Sequence, residues 1–352
     1  MFSHDTHPPA TKFREEPAIF SLLLLTVSHL VNSATIATTQ SSRNINNDNQ
    51  ARATLDRMSL DFANMIKRID VDTVFYKGTG NDKMFFFAQV PAYSGNGSGL
   101  TGTAVVGYRV TDQEGEMSND RPSYSLERFG KALVWQGLST NDSMVFNSGN
   151  STEPNTLTSN WATEIGASAP FNGSSPDFYH TLADQVFRME ICFQVKNLSS
   201  NNTLAFSNYP VAKGGPTTVD AGPPSGGNVG ARWYDTTKNR AYICTKGNGT
   251  SAIWQPNGLK DVISIIITFA ILDTNTRKMI ETDFYQLNLS SLVNQIFPDV
   301  TDADLNANPV RLPEQIWNTN LENALSNGNA VIPKAAAAQI RIYQRFFYIN
   351  RD

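Results

Sequence analysis

The chain has 352 residues, of which 40% are hydrophobic and 17% are charged, and its formal net charge at pH 7 is −4. This composition excludes a disordered chain and a multi-span membrane protein, and the length allows one large or two modest domains. Because the charge balance is slightly acidic, the chain has no basic field for attracting nucleic acid. We therefore expect no nucleic-acid partner.

The two cysteines, Cys192 and Cys244, limit the metal and redox chemistry that the chain supports. They are too far apart in sequence for a CxxC metal site and too few for a disulfide framework. A single bridge between them is the alternative in an oxidising compartment, whereas two unpaired thiols are the commoner arrangement.

The chain begins with a polar leader, residues 1–18, followed by an apolar run at residues 19–31. The run is shorter than the roughly 20 residues that span a bilayer, and extending it through Ala37 supplies the length but adds polar side chains. A cleavable secretory signal with its exit at residues 32–34 is the alternative. The run resembles the apolar region of a signal sequence more than a full span, and its candidate anchor positions are Phe20, Leu22, Leu23, Leu24, Leu25, Val27, Leu30 and Val31.

Residues 51–69 have the spacing of an amphipathic helix. Apolar residues recur there at alternating steps of four and three, which places them on one helix face. We expect this face to pack on the head of the protein through Leu55, Met58, Phe62, Met65 and Ile69. Residues 44–50, between the two segments, are rich in weak helix formers, so the helix is expected to soften or kink there.

From residue 70 onward the pattern changes to that of a β-rich body. Clusters of β-branched and aromatic residues predict strands at 74–76, 84–90, 103–110, 124–133, 186–195, 262–272 and 339–349. The polar segment 77–82 between the first two predicts a hairpin connection. Residues 139–177 are rich in Ser, Thr, Asn and Gly, which predicts a long surface excursion.

A second insert, residues 213–258, is bounded by Gly/Pro-rich stretches and contains three short aromatic segments separated by turns. This pattern predicts a small β-meander. If its rings are exposed, Trp233, Tyr234 and Trp254 form a ligand surface suited to a glycan. If they are buried, they supply the meander with a core of its own, as most small β units require.

Near the C-terminus, Thr301 and Asp304 have the spacing of a capping box ahead of the apolar positions Leu312, Ile316, Leu321 and Leu325. We predict a helix there that ends at Gly328. Asp302 and Asp304 also alternate as calcium ligands do and are the weak candidates for a metal site. Helix capping explains them more simply, because the glycine and glutamate of an EF-hand loop are missing.

No catalytic pattern stands out in the sequence. The only histidine in the predicted body is His180, and no metalloprotease, nucleophile-elbow, P-loop or kinase motif is found. Asp177 and Asp184 bracket His180, but carboxylates near a loop histidine are more often solvated than catalytic. We expect a protein that is not an enzyme and has no cofactor.

The chain resembles a known group of proteins at its N-terminus. Phe20-Ser21-Leu22-Leu23, followed by a long helix and preceded by a short leader that contains basic residues, is similar to the start of a mature type IV pilin or type II secretion pseudopilin. The order of later elements resembles the minor pseudopilin J group, at residues 106–110, 126–128, 187–191 and 259–265. Residues 51–58 and 341–345 are closest in style to Verru_Chthon cassette protein C, a pseudopilin-like family.

The resemblance implies an α+β fold, with a long N-terminal helix packed on a mostly antiparallel β-sheet head, plus the β-meander insert. It implies a leader at 1–18, an anchor and spine helix at 19–69, a head at 70–212 and 259–352, and the insert at 213–258. Ala18, Ile19 and Phe20 would form the processing region. Ile19 stands where the family has glycine, and Leu24 stands where it has glutamate.

The function that follows is a non-enzymatic structural subunit of a secretion or pilus-like assembly. The resemblance implies anchorage in a bacterial inner membrane with a periplasmic head, or a place in a surface assembly. Its partners would be other pseudopilin-like subunits and the membrane. The alternative is a secreted or membrane-anchored surface protein whose aromatic insert binds a glycan.

Overall fold

A computed structural model of the chain describes residues 15–68, 73–93, 100–112, 124–134, 144–145, 178–199, 203–215, 217–224, 227–247, 252–272, 295–327 and 332–349. The chain divides into two compact units, Met1–Asn49 and Gln50–Asp352. The described part combines a long N-terminal helix with several largely antiparallel sheets, which is the α+β class that the sequence predicts.

The N-terminal helix α1 runs from Glu15 to Ala63 without interruption. Its first residues lie inside the predicted leader. Pro17 is compatible with the first turn of the helix, because a backbone N–H at that position would have no acceptor within the helix. Residues 44–50, where the helix was expected to soften or kink, are helical throughout.

The helix also ends earlier than residue 69, because the chain turns to pair with a neighbouring strand. Asn64 bonds back to the Leu60 carbonyl through its backbone N–H at 3.2 Å and its side-chain amide at 2.8 Å. Met65 then forms a bridge with Ala88, and the Ile66 N–H donates to the Phe87 carbonyl at 2.8 Å. Ile69 itself lies outside the described residues.

The first sheet of the head has the strand order β1-β2-β5-β6, with β7 and β8 both pairing with β6. Its strands are β1 (Thr73–Tyr76), β2 (Lys83–Ala88), β5 (Ala104–Asp112), β6 (Tyr124–Val134), β7 (Met144–Val145) and β8 (Tyr179–Asp184). Only the β6–β7 pair is parallel among them. The predicted hairpin is confirmed, since β1 and β2 pair antiparallel around residues 77–82. A separate ribbon joins β3 (Ala92–Tyr93) to β4 (Leu100–Thr101).

A second sheet has the order β10-β9-β15-β16 and is antiparallel throughout. Its strands are β9 (Val186–Lys196), β10 (Leu204–Ser207), β15 (Val262–Ile271) and β16 (Arg341–Tyr348). The two central strands, β9 and β15, are almost wholly buried. Burial on both faces explains why β15 reads in the sequence as a nearly continuous apolar run, whereas β9 also carries the buried charged residues Arg188 and Glu190.

The third sheet lies within the predicted insert and has the order β11-β12-β13-β14. Its strands are β11 (Thr217–Asp220), β12 (Arg232–Asp235), β13 (Arg240–Lys246) and β14 (Ile253–Pro256). The last three form an antiparallel meander, as the sequence predicts, and β11 adds to it in parallel. That parallel strand was not expected from the sequence.

Toward the C-terminus the segment predicted as one helix forms two, α2 (Asp302–Leu305) and α3 (Pro313–Asn327), and its predicted end at Gly328 lies outside the described residues. A further short helix, α4 (Lys334–Ala337), follows beyond the predicted segment. The capping box is confirmed, because the Thr301 side chain accepts from the Asp304 N–H and the Asp304 carboxylate accepts from the Thr301 N–H. Trp317 on α3 is fully buried and lies edge-on to Phe297, with ring centroids 5.6 Å apart.

Candidate functional site

The first part of α1 carries an apolar surface that is exposed in the described chain. From Ile19 to Ile36, each large apolar side chain has between 51% and 72% of its surface exposed. Residues 17–42 contain no Asp, Glu, Lys or Arg. Among the described residues α1 is the one helix that is long and apolar enough to cross a membrane. An N-terminal helix of this kind is typical of a membrane anchor and of a signal sequence.

The threonines of this segment satisfy their hydroxyl groups within the helix. Thr26 donates to the Leu23 carbonyl, and Thr35, Thr38 and Thr39 each donate to the carbonyl four residues earlier, all at 2.8 Å. A hydroxyl that is already bonded costs less to transfer into lipid, because no donor is left without an acceptor. The polar threonines are therefore compatible with an apolar surrounding.

The residues of the predicted processing region lie early in α1. Ala18, Ile19 and Phe20 are all helical, and Ile19 and Phe20 are exposed. Leu24, at the position where the resemblance places a glutamate, is also exposed.

The next part of α1 is built into the core of the head. Ala51, Leu55, Met58 and Phe62 are buried and belong to the largest apolar cluster, together with the faces of the first two sheets. The Phe62 ring stacks on Phe86 with centroids 4.9 Å apart, and it lies 4.9 Å from the ring of Phe347. Met65, beyond the end of the helix, is buried in the same cluster.

A buried ionic group, which we call the Asp61 cluster, joins α1 to the first sheet. The Asp61 carboxylate accepts from the Arg128 guanidinium at 2.6 and 3.0 Å and from the Tyr108 hydroxyl at 2.5 Å. Burial and then the nearby Asp61 charge raise the pKa of Tyr108 well above its usual value, so the phenol stays protonated and donates. Burial lowers the pKa of Arg128, but bonding to Asp61 outweighs that and raises it overall.

The same stretch of α1 covers the edge strand β8. The Thr54 hydroxyl donates to the Leu182 carbonyl at 3.4 Å. With its amide in the orientation that satisfies both groups, Gln50 donates to the Asp184 carbonyl at 3.3 Å and accepts from the Asp184 N–H at 2.9 Å. Side chains of α1 thus occupy backbone groups that an edge strand otherwise presents to solvent.

A second buried ionic group, the Glu190 cluster, joins three parts of the head: the β1–β2 connection, strand β9 and the segment before α2. Lys77 donates to Glu190 at 2.8 Å and to Asp82 at 3.0 Å. Arg188 donates to Glu190 at 2.6 Å and to Asp299 at 2.7 Å. The fully buried Arg188 also donates to the Phe297 and Met189 carbonyls, at 3.0 and 2.9 Å.

Titration of the Glu190 cluster provides a pH-dependence prediction. Burial raises the pKa of Asp82 to about 6, Lys77 opposes the increase, and Glu190 adds to it. The folded protein therefore holds the Asp82 proton more tightly than the unfolded chain does, where the pKa is about 3.9. This contribution to stability is fully present below about pH 4 and is lost as the pH rises through about 6.

We expect the free energy of unfolding of the wild type to fall between pH 4 and pH 7 relative to that of Asp82→Asn. The variant carries no titrating group at this position, so the difference between the two proteins reports on Asp82 together with its interactions with Lys77 and Glu190. Urea unfolding at a series of pH values measures it. A difference that stays constant with pH, or that increases in favour of the wild type, would contradict the prediction.

The insert buries most of its aromatic surface. Trp233 stacks on Tyr242 with centroids 4.8 Å apart, and Tyr234 donates a hydrogen bond to the Phe75 carbonyl of β1. Trp233 and Tyr234 are buried, whereas Trp254 is half-buried. The expectation that all three rings form a ligand surface is corrected for Trp233 and Tyr234, because one forms the core of the meander and the other docks it on the head.

Further contacts fix this insert to the head. Arg232 donates to Asp261 at 2.5 and 3.1 Å, and Asn257 donates to the same carboxylate at 2.6 Å. The Phe75 N–H donates to the Asn239 carbonyl at 3.3 Å. The insert is thus held by its strands as well as by its ends.

The weak metal candidates have other roles. Asp304 caps α2, and Asp302 pairs with Lys213 at 2.9 Å while remaining 62% exposed. No group of three or more metal-ligating side chains occurs in the part of the chain that the structure describes. His180 is exposed on β8, and Cys192 and Cys244 are both buried free thiols.

Both ionic clusters escaped the sequence-based predictions. One signal was available for the Asp61 cluster. Asp61 and Thr54 are seven residues apart, so they lie on the same side of the amphipathic helix, next to its apolar face. The Glu190 cluster joins residues far apart in sequence, and no sequence spacing indicates such a contact.

Comparison of the chain with protein-family models, with curated proteins and with solved structures finds no match.

Proposed function

We propose that the chain is a non-enzymatic, pseudopilin-like structural subunit, anchored by residues 19–36 in a bacterial inner membrane with its head in the periplasm. Its partners in the assembly are other pseudopilin-like subunits. One observation supports the proposal more than any other: a single unbroken helix is apolar and exposed over residues 19–36 and is built into the head core from residue 51 onward. A subunit that is anchored in a membrane by one end of a helix and folded around the other end needs such a helix.

The chemistry of residues 17–42 supports anchorage. A charged residue at the centre of a spanning helix opposes insertion by about 2.5–3.5 kcal/mol, and this stretch contains none. Its polar threonines are bonded within the helix. In lipid no water competes for contact, so such a helix associates with others through shape and hydrogen bonds.

Membrane retention and the mature N-terminus test the proposal together. After expression in a bacterial host, we expect the wild type in the membrane fraction, released by detergent but not by alkaline washing. Intact-mass measurement of the extracted protein should place its N-terminus at or near Phe20. A soluble chain whose N-terminus lies near Thr35 would show instead that the segment is a secretory signal, and the proposal would be rejected.

A charge-insertion variant with a matched control sharpens this test. The double variant Leu23→Arg/Leu30→Arg places two charges in the predicted span and should move most of the protein out of the membrane fraction. Leu60→Arg adds a charge to the same helix at an apolar position that is 59% exposed but lies beyond the span. The control should stay in the membrane. Equal retention of both variants would contradict anchorage by residues 19–36.

A further inference from the structure

Three side chains of the Glu190 cluster bring an amine against two buried carboxyl groups. Lys77 follows the last residue of β1 and Asp82 precedes the first residue of β2, so the two face each other across the hairpin connection. The Lys77 Nζ lies 3.0 Å from Oδ2 of Asp82 and 2.8 Å from Oε1 of Glu190. Both carboxyl groups are buried, and 15% of the Lys77 side chain is exposed. A nucleophile, a group that it can attack and a base are thus held together where bulk water is largely excluded.

Backbone N–H groups bond to both oxygens of the Asp82 carboxyl group. The Gly78 N–H donates to Oδ1 at 3.1 Å, and the Ile191 N–H donates to Oδ2 at 2.8 Å. When an amine attacks a carboxyl carbon, negative charge develops on a carboxyl oxygen, and fixed N–H donors stabilise that charge. The donors around Asp82 therefore lie where the charge of a tetrahedral intermediate would develop.

Their surroundings give the two carboxyl groups different roles. Glu190 accepts from the fully buried Arg188 at 2.6 Å and from the Val300 N–H at 2.8 Å, so its negative charge has a counter-ion besides Lys77. Burial raises the pKa of Asp82 to about 6 against the attraction of Lys77, which favours the neutral acid, the form that an amine attacks. Asp82 is therefore the better electrophile and Glu190 the better base.

We propose that Lys77 and Asp82 form an intramolecular amide bond, in which the Lys77 Nζ joins the Asp82 Cγ and one molecule of water leaves. The bond closes the β1–β2 connection covalently. This proposal does not depend on membrane anchorage, because all the reacting groups lie in the head.

The reaction balances within the cluster. One proton passes from the Lys77 ammonium to Oδ2 of Asp82, which leaves a neutral amine and a carboxylic acid. Nζ then bonds to Cγ, and the carbonyl electron pair moves to Oδ1, which the Gly78 N–H stabilises. Glu190 takes one proton from Nζ and passes it to the Oδ2 hydroxyl, which leaves as water when the C=O bond re-forms. Nζ keeps its third proton as the amide N–H, and Glu190 ends as the carboxylate that it was at the start.

The charge on Lys77 determines how fast the bond forms. Burial lowers the pKa of Lys77, but Asp82 and Glu190 outweigh this effect and raise the pKa overall. The first proton transfer is therefore unfavourable, and we expect the bond to form slowly in the folded protein. One turnover per chain is sufficient, and groups held in contact have effective concentrations that reach about 10⁵–10⁸ M.

Peptide mass mapping of the full chain in mild detergent, after prolonged incubation of the folded protein, tests the bond directly. Trypsin cleaves an unlinked chain after Lys77 and gives residues 69–77 and 78–83 as separate peptides. In the linked chain the Lys77 side chain is an amide, so cleavage there is lost. We expect residues 69–83 as one peptide that is lighter than its sequence by one water. Separate, unmodified peptides from the folded protein would overturn the proposal.

Fragmentation of the linked peptide identifies the bond. It should join Lys77 to Asp82, and a link from Lys77 to Glu190 would overturn the assignment of the electrophile. Cyclisation of Asp82 onto the following backbone N–H also removes one water, but it leaves Lys77 open to trypsin. That result would likewise contradict the amide bond.

An exposed ion pair in the same chain is the internal control. Lys213 and Asp302 are 2.9 Å apart, but Asp302 is largely exposed. Contact alone should not link them, because water solvates both groups and no buried base accompanies them. A link between Lys213 and Asp302 as abundant as that at Lys77 would contradict the role given to burial.

Glu190→Gln tests the base. The variant keeps the shape of the side chain but does not accept a proton, so the bond should form about 100-fold to 10,000-fold more slowly, the usual contribution of general acid–base catalysis. The control Glu127→Gln changes another buried carboxylate, which pairs with Arg109 at 2.8 Å, and should leave the rate unchanged. An unchanged rate in Glu190→Gln would overturn the role of Glu190. If that variant does not fold, the wild-type peptide map still decides whether the bond forms.

The bond also bears on the pH dependence expected for Asp82. A linked chain has no Asp82 carboxyl group to titrate, so the loss of stability between pH 4 and pH 7 belongs to the unlinked chain. The peptide map is therefore recorded on the sample that is used for urea unfolding.

Discussion

Replacing Asp61 with alanine is expected to lower the free energy of unfolding by about 3–5 kcal/mol, because it leaves a buried charge without its partner. Arg128 would lose two hydrogen bonds to the carboxylate, and the Tyr108 hydroxyl would lose its acceptor. Urea titration of the full chain in mild detergent, followed by tryptophan fluorescence, measures the change.

Asp56→Ala is the matched control for Asp61→Ala. Asp56 lies on the same helix and pairs with Arg345 at 2.7 Å, but its side chain is 70% exposed, whereas that of Asp61 is fully buried. An exposed pair contributes about 0–1 kcal/mol, so the control should change stability little. Similar losses in both variants would mean that burial of the Asp61 cluster does not determine how strongly α1 is held by the head.

Replacing Arg188 with methionine should destabilise the head by a comparable amount, about 3–5 kcal/mol. The guanidinium is fully buried and donates to both Glu190 and Asp299, so its removal leaves Glu190 with Lys77 as its remaining cation. The methionine keeps much of the packing against Trp317, over whose ring the guanidinium lies. The loss therefore reports on the ion pairs and hydrogen bonds of Arg188 rather than on volume. The urea titration used for Asp61→Ala measures it.

Two further variants separate the effect of the buried charges on stability from non-specific destabilisation by the substitution. Lys213→Met removes the cation of the exposed pair with Asp302 and should cost about 0–1 kcal/mol. Arg188→Met removes one cationic partner of the Glu190 carboxylate. Adding Glu190→Gln neutralises that carboxylate, so part of the lost stability should return. A double variant that is less stable than the sum of the two single changes would contradict this account of the Glu190 cluster.

The sequence predicted those parts of the fold that depend on local pattern. The apolar period over residues 51–65 identified the packed face of α1, and capping chemistry identified Thr301 and Asp304. Strands were located because β-branched and aromatic residues cluster in them. Strand β11 was missed because its sequence, Thr-Thr-Val-Asp, is short and mostly polar, and it forms a strand only by pairing with β12.

Contacts between distant segments explain most of the remaining differences. Helix α1 stops at Ala63 because the following residues pair with β2, a choice that helix propensity does not report. Residues 44–50 stay helical although they are weak formers, which shows how a continuous helix overrides local preference. Whether Trp233 and Tyr234 are exposed or buried was left open by the sequence, because the position of the head relative to the meander was unknown. The ionic clusters depend on the same long-range packing.

The covering of β8 by Gln50 and Thr54 has a consequence for crowding. An open edge strand invites another chain to extend the sheet, which is a common start of aggregation. Here the Asp184 N–H and the Leu182 and Asp184 carbonyls already bond to side chains of α1. A neighbouring head would find the backbone groups of Leu182 and Asp184 already bonded, so pairing with another strand is disfavoured at this end of β8.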